Sequence, residues 1–353
     1  MSSETFDRIR KINTWNAPKD WLRIRTIDMH TGGEPLRVIV DGFPDIQGST
    51  ILEKRNYVKH NYDHLRTALM FEPRGHADMY GCLLTSPQSA EADFGIIFMH
   101  NEGYSTMCGH ATIAITKLAV EMGWVKVQEP ETIVKIDAPC GLLTSYAEVE
   151  NGKVKNIRFH NVPSFVVALD REVEVDGLGI VKYDLAYGGA FYAYVDANPL
   201  NIQCTPENYR TLIERGMDIK RAVMTTSDLI IHPFEKDLSF LYGTIFIGGP
   251  VSNDVDSRNV CIFAEGEVDR SPTGSGVSGR AAIHYKRGDI GVDEPMTIES
   301  ILGSRFKTRV VKETRYGDFD AVIPEVEGDA HITGQNEFVI DPSDPLKEGF
   351  ILR

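Results

Sequence analysis

Cysteine is the residue type in this sequence whose spacing is most informative about chemistry, because a thiolate can act as a base or a nucleophile. The chain of 353 residues contains five cysteines, an odd number, and none of them form a C-x-x-C pair. This spacing indicates neither a disulfide framework nor a tetrahedral zinc site. The five are Cys82, Cys108, Cys140, Cys204 and Cys261.

Cys108 is the one cysteine whose neighbours favour a chemical role. It directly precedes Gly109 and His110, at the predicted start of a helix that runs to about Glu121. A helix N-terminus presents free backbone N–H groups and a partial positive charge, so it binds carboxylates and stabilises a thiolate. We therefore predict a lowered pKa for Cys108 and a role as a base. The other four cysteines are predicted to be structural.

A second segment repeats this pattern in the other half of the chain. Thr273 precedes Gly274 and Ser275 at the start of another predicted helix. In both segments a glycine, Gly123 or Gly288, follows 15 residues after the cysteine or threonine. The pattern favours two related halves whose helix starts face each other. Coincidence between two ordinary helix starts is the alternative, since Thr and Ser are common N-caps.

The remaining elements are mostly short strands, which predicts an α+β architecture rather than alternating βαβ units. One helix is predicted near residues 54–71. Another is predicted near residues 206–214, followed by a strand near residues 222–226. The predicted organisation is an N-terminal extension (1–21), a first half (22–185) with the C-terminal segment 336–353 as a candidate to complete it, and a second half (186–335).

Composition excludes several classes of partner. The formal net charge is −14, and no cluster of Lys and Arg suited to nucleic acid occurs. No apolar stretch is long enough to span a bilayer, and the N-terminal residues lack the apolar core of a secretory signal. We therefore expect a cytoplasmic protein that acts on a small molecule, without a nucleic-acid or membrane partner.

Motifs for cofactors and metals are also missing from the sequence. The Gly-Gly turns at residues 188–189 and 248–249 lack the spacing of phosphate-binding loops. The histidines form no H-x-x-x-H pair on a recognisable helix with a third ligand. The sequence thus predicts no metal and no organic cofactor. A hydrolase in which His110 serves as the base of a Cys108 nucleophile is disfavoured, because such pairs usually come from separate parts of a fold.

Five motifs together resemble the proline racemase family. They extend from residue 28 to about residue 290, so that the likeness covers most of the chain. The motifs are MCGH (107–110), DRSPTGSG (269–276), DMHTGGEP (28–35), PRGHADM (73–79) and YGGAFY (187–192).

The resemblance implies a fold of two pseudo-symmetric halves of the diaminopimelate epimerase type. Each half is expected to be a curved β-sheet or barrel around a central helix, with the active site in the cleft between them. The family's racemases and epimerases carry a second cysteine where this chain has Thr273. The Cys-then-Thr pair is similar to that of members that eliminate water from trans-3-hydroxy-L-proline.

The residue roles that follow from the resemblance are specific. Cys108 is expected to remove the α-proton, and Thr273 either to face the other side of the ring or to assist departure of the hydroxyl. The substrate carboxylate is expected on the N–H groups of both helix starts, and Asp269 is expected to bind the ring ammonium. The carboxylate-binding residues are Gly109, His110, Gly274 and Ser275.

Two alternatives remain open from the sequence. One is a racemase or epimerase of proline or hydroxyproline, and the other is a non-enzymatic protein that binds imino acids. The presence of Cys108 and Asp269 favours an enzyme, since a binder needs neither a thiolate nor its placement at a helix start. A homodimer is expected only from the general preference of oligomers for two-fold symmetry.

Overall fold

The computed structural model describes residues 5–8 and 15–352. The predicted extension over residues 1–21 lies partly outside these residues. The strands are β1 Leu22–Thr31, β2 Glu34–Asp41, β3 Gly81–Thr85, β4 Phe94–Met99, β5 Glu131–Ala138, β6 Gly141–Glu150, β7 Lys153–His160, β8 Ser164–Val175, β9 Gly179–Tyr187, β10 Phe191–Asp196, β11 Leu241–Gly248, β12 Ser257–Phe263, β13 Glu267–Val268, β14 Met296–Glu299, β15 Arg305–Tyr316, β16 Phe319–Gly328 and β17 Ala330–Ile340. The helices are α1 Ile51–Asn61, α2 Asp63–Met70, α3 Gly109–Glu121, α4 Tyr209–Thr226 and α5 Gly274–Arg287.

Strand pairing divides the sheet into two sets with the same order of directions. From β1 to β7 the successive pairs are antiparallel, parallel, antiparallel, parallel, antiparallel and antiparallel. The series β9, β10, β11, β12, β14, β15 and β16 has the identical order. An eighth strand flanks each set, since β17 pairs with β1 and β8 pairs with β9. This internal repeat confirms the predicted fold of two α+β halves.

Each set of strands curves around one largely buried helix. In the first half, α3 packs against β1, β6 and β7 and is buried along almost its whole length. In the second half, α5 packs against β8, β9, β15 and β16. Because β16 also pairs with β8, the strands of the second half close into a barrel around α5. Strand β16 pairs with β7 as well, which joins the two halves edge to edge.

The pairing divides the chain earlier than the predicted boundary at residues 185 and 186. Strands β8 and β9 precede that boundary, yet they belong to the barrel of the second half through β16 and β10. Strand β17, which begins at Ala330, returns to pair with β1 in the first half. The sequence does not reveal this exchange because partners in a sheet are set by long-range packing, not by local pattern.

Two of the predicted elements differ from the structure. The helix near residues 54–71 is two helices, α1 and α2, with Tyr62 between them as the C-cap of the first. The prediction of a strand near residues 222–226 is wrong, because this segment is the last part of α4. Its β-branched residues suggest a strand, but Leu212, Ile219 and Val223 lie on one helical face and are buried.

The N-termini of α3 and α5 meet head to head through two glycines. A Cβ atom on Gly109 would lie 2.5 Å from the Cα of Gly274, and one on Gly274 would lie 2.7 Å from the Cα of Gly109. No real Cβ atom tolerates such a contact with backbone. Glycine is therefore required at both positions for the two helix starts to share one cleft.

We expect Gly109→Ala to lower the free energy of unfolding by about 1–3 kcal/mol, as overpacking in a core does. Urea unfolding measures the change. The matched control is Gly249→Ala, where a new Cβ meets no atom within 4 Å. Equal stability of the two variants would show that the glycine contact between the helices is not tight.

Candidate active site

Cys108 is the N-cap residue of α3. Its backbone is extended, with φ −146° and ψ 108°, and its Sγ accepts a hydrogen bond from the N–H of Ala111 at 3.4 Å. This is the place of a capping side chain, where Ser, Thr or Asp usually stands. The side chain is almost fully buried and faces the cleft between the halves. The predicted position of the thiol at a helix start therefore matches the structure.

The predicted lowering of the Cys108 pKa is wrong for the empty cleft. Burial raises the pKa of the thiol well above its ordinary value, and the nearby carboxylates of Asp269 and Glu34 raise it further. The Ala111 N–H and the Tyr80 hydroxyl act in the opposite direction but do not outweigh burial. The position of Cys108 at a helix start does not by itself predict its pKa, because desolvation depends on the whole surrounding fold.

His110 turns back onto the thiol although it lies only two residues along the chain. Its Nδ1 is 3.1 Å from Sγ of Cys108. Burial lowers the pKa of His110 to about 3, so the imidazole is neutral, and it also interacts with the backbone of Pro35. A ring with so low a pKa does not hold the proton of a thiol, so the contact orients Cys108 without acting as its base.

Thr273 occupies the matching position at the start of α5, but in a different conformation. Its φ of 67° lies in the left-handed region, which a β-branched residue rarely adopts. Its Oγ1 is buried and makes no hydrogen bond within the described residues. The hydroxyl is close enough to the Asp269 carboxylate to lower the pKa of that acid, without reaching hydrogen-bond geometry. A strained residue with an unsatisfied hydroxyl is typical of a functional site.

Asp269 is a buried acid at the edge of the same cleft. Burial raises its pKa to about 6, while hydrogen bonds from Ser271, including one of 2.7 Å from the backbone N–H to Oδ1, partly compensate. Glu34 is also fully buried, and burial together with the charge of Asp269 raises its pKa. The charge of Arg270 lowers the pKa of both acids but does not outweigh burial.

The two helix starts also supply donors for an anion. Gly109 and His110 begin α3, and Gly274 and Ser275 begin α5, so their N–H groups have no preceding turn of helix to bond to. All four residues line the cleft together with Cys108. The structure thus brings together every site residue predicted from the sequence.

The cleft has an aromatic wall that the sequence argument did not single out. Its members contact one another, with 5.7 Å between the ring centroids of Tyr192 and Tyr242 and 5.3 Å between those of Tyr242 and Phe263. The cavity they enclose is about 20 Å³, room for about one water molecule. The four rings are Tyr80, Tyr192, Tyr242 and Phe263.

Residues of the other motifs, which lie far from the two helix starts in the sequence, form hydrogen bonds that support these helix starts. Thr31 donates to the carbonyl of His110 at 2.9 Å, and Glu34 accepts from the backbone N–H of Arg270 at 2.7 Å. Asp78 accepts from the guanidinium of Arg270 at 2.6 Å. Tyr192 shares a hydrogen bond of 2.7 Å with the Ser275 hydroxyl. The motifs that carried the resemblance thus converge on one place.

Two further properties of the described residues concern metal binding and membrane crossing. Within residues 5–8 and 15–352, no group of three or more His, Cys, Asp or Glu side chains is arranged to hold a metal ion. Over the same part of the chain, every helix falls short of the length and apolarity that a bilayer crossing demands.

The fold and the site define an enzyme that presents a thiol and two helix starts in a cleft between two related halves. The model of the family described as proline racemase matches residues 26–351, so the chain belongs to the proline racemase family. It is 54% identical over 335 residues to the trans-3-hydroxy-L-proline dehydratase of Colwellia psychrerythraea, covering 95% of this chain and 94% of that protein.

Other relatives are named for epimerisation instead of dehydration. The chain is 46% identical over 330 residues to a 3-hydroxyproline 2-epimerase of Burkholderia multivorans, covering 94% of this chain and 98% of that protein. Among solved structures, a hydroxyproline epimerase from Agrobacterium vitis with bound trans-4-OH-L-proline superposes with a TM-score of 0.88 at 31% identity, covering 94% and 96% of the two chains.

We expect Cys108 to be a neutral thiol in the empty protein near neutral pH, because burial raises its pKa. The ultraviolet absorbance of thiolate, taken as the difference between wild type and Cys108→Ser, isolates this residue from the other four cysteines. The difference signal should emerge only above about pH 9, the ordinary cysteine range. A full thiolate signal already present at about pH 7 would contradict the dominance of burial.

Proposed function

We propose that this protein dehydrates trans-3-hydroxy-L-proline to pyrroline-2-carboxylate. The observation that carries the proposal is the pairing of one thiol, Cys108, with one hydroxyl, Thr273, at two helix starts that meet in a closed cleft. Membership of the proline racemase family and the 54% identity to a protein named for this reaction support it.

The substrate carboxylate is held by the donors of the two helix starts. The N–H groups of Gly109 and His110 approach it from one half, and those of Gly274 and Ser275 from the other. As the α-proton leaves, negative charge spreads from Cα onto this carboxylate. Preorganised donors of this kind stabilise such charge, and removal of one typically costs about 3–4 kcal/mol in other enzymes.

The ring ammonium is bound by Asp269. In the empty cleft burial holds the pKa of this acid at about 6. An opposite charge at close range favours the ionised form, so the bound ammonium keeps Asp269 as a carboxylate. The same cation offsets the charges of Asp269 and Glu34, both of which raise the Cys108 pKa when the cleft is empty. Substrate binding therefore favours the thiolate that removes the α-proton.

Elimination rather than epimerisation follows from the presence of Thr273, instead of a thiol, at the second helix start. Inversion at Cα requires an acid on the far face that returns a proton to carbon, and two thiols can exchange these roles. The Thr273 hydroxyl is far too weak an acid for this step. The carbanion formed beside Cys108 therefore expels its β-hydroxyl. The resulting enamine tautomerises to the imine after release.

A racemase or epimerase of proline or hydroxyproline is the second candidate. The relative named 3-hydroxyproline 2-epimerase and the superposable hydroxyproline epimerase structure favour it. The absence of a thiol at position 273 opposes it. Because the cavity is only about 20 Å³, either substrate requires the cleft to widen before the ring can enter.

We expect purified protein to convert trans-3-hydroxy-L-proline to a pyrroline product and Cys108→Ser to lose nearly all of this activity, since serine is not ionised near neutral pH. Product analysis by NMR in deuterated water measures both outcomes. Cys140→Ala is the matched control, because Cys140 also precedes a glycine but does not line the cleft. Deuterium in an inverted proline or hydroxyproline, without a pyrroline product, would identify an epimerase instead.

We expect L-proline to bind more weakly as the pH falls through about 6, because protonated Asp269 no longer pairs with the ring ammonium. At one unit below that pKa the inhibition constant should rise about tenfold. Pyrrole-2-carboxylate, whose ring nitrogen is uncharged, should not weaken over the same range. In Asp269→Asn the inhibition constant of L-proline should be high and independent of pH, and an unchanged dependence would exclude Asp269 as the ammonium partner.

A further inference from the structure

The stereochemistry of the proposed substrate restricts where the leaving group departs, and the inference below rests on the proposed function. In trans-3-hydroxy-L-proline the 3-hydroxyl and the carboxylate lie on opposite ring faces. The α-hydrogen also lies opposite the carboxylate, because both are substituents of Cα. The hydrogen to be removed and the hydroxyl to be expelled are therefore on the same face. If Cys108 takes the hydrogen, the hydroxyl departs on the side of Cys108, away from Thr273.

Tyr80 is a hydroxyl donor that lines the cleft beside Cys108. Its side chain is buried, lines the cleft and lies against the ring of His110, with 4.8 Å between ring centroids. Its hydroxyl is close enough to the Cys108 thiol to lower the pKa of that thiol. The same hydroxyl forms a short hydrogen bond with the Ser105 hydroxyl. Ser105 can donate in this bond, so the phenolic hydrogen, which otherwise points to the Cys108 sulfur, becomes available to a ligand oxygen once that sulfur has taken the α-proton.

His110 is not suited to the same task. Its imidazole is neutral, with a pKa of about 3, and a neutral ring carries a single N–H. The ring interacts with the backbone of Pro35, and its Nδ1 faces the Cys108 sulfur at 3.1 Å. Its Nε2 also lies 3.7 Å from the same sulfur, so the ring is directed at Cys108 and its single N–H is better placed for the sulfur or for Pro35 than for a hydroxyl on C3.

We propose that Tyr80 is a catalytic residue that donates a hydrogen bond to the departing 3-hydroxyl, while Cys108 serves first as base and then as acid. The Cα–H bond breaks and an S–H bond forms. The electron pair left on Cα forms the Cα=C3 double bond as the C3–O bond breaks, and its electrons stay on oxygen. The thiol proton then passes to this oxygen. Water leaves, and the thiolate is restored.

The buried phenol keeps its own proton throughout. Burial raises the pKa of Tyr80 well above its ordinary value, so a tyrosinate is disfavoured and the phenol acts as a hydrogen-bond donor rather than a proton source. Its part is to stabilise negative charge on the leaving oxygen, as an oxyanion donor does. Thr273 is left with the opposite ring face, where it offers no acid to the carbanion.

The experiment compares two leaving groups in Tyr80→Phe. Fluoride departs without help from a proton donor, whereas hydroxide needs it, so trans-3-fluoro-L-proline reports deprotonation by Cys108 alone. We expect kcat/KM for trans-3-hydroxy-L-proline to fall about 100-fold in Tyr80→Phe, and that for fluoride release to fall less than about threefold. Tyr192→Phe is the matched control, since Tyr192 lines the same cleft from the other half. It should affect both substrates equally.

Other outcomes overturn the proposal. Equal losses of kcat/KM on both substrates in Tyr80→Phe would mean that Tyr80 has a structural role or activates the base. An unchanged kcat/KM on the hydroxy substrate would mean that Tyr80 has no role in catalysis. Wild-type protein that releases water but no fluoride would also contradict it. If Tyr80→Phe does not fold, Ser105→Ala tests the proposal instead, because this variant keeps Tyr80 but removes the partner that orients its hydroxyl. Wild-type protein that forms no pyrroline product refutes the proposed function itself.

Discussion

The contact between the N-termini of α3 and α5 is the constraint on which the rest of this structure depends. Each helix start carries a partial positive charge of about half a unit, so that two of them facing each other repel. The Gly109–Gly274 contact nevertheless brings their backbones within van der Waals reach. A ligand carboxylate placed between the two helix starts lowers this repulsion, so the arrangement favours a ligand that carries a carboxylate.

The two halves hold these helix starts by hydrogen bonds from remote parts of the chain. Thr31 of β1 fixes the His110 carbonyl, Tyr192 of β10 fixes Ser275, and Thr106 donates to the carbonyl of Gly189 at 2.6 Å. Because β1 and β10 belong to different halves, each half positions one side of the cleft. The geometry of the site is thus a property of the whole repeat and not of either turn alone.

Burial has two opposed effects on the chemistry. It removes water that would compete for the carbanion, and it strengthens the hydrogen bonds that stabilise charge. It also raises the pKa of Cys108 and of Asp269, the two groups that must be ionised to act. In the proposed reaction the ring ammonium of the substrate resolves the conflict, because a positive charge at close range favours both ionised forms.

The sequence by itself indicated the two helix starts with the thiol and the hydroxyl at them and favoured two related halves, because caps and helix periodicity are local properties. The resemblance, which rests on the distant motifs, added the particular fold and the role of Asp269. Only the tertiary structure decided that β8 and β9 belong to the second half, that Tyr80 and Tyr192 line the cleft, and that the Cys108 pKa is raised. Strand partners, cavity walls and desolvation depend on residues far apart in the chain, which no local pattern encodes.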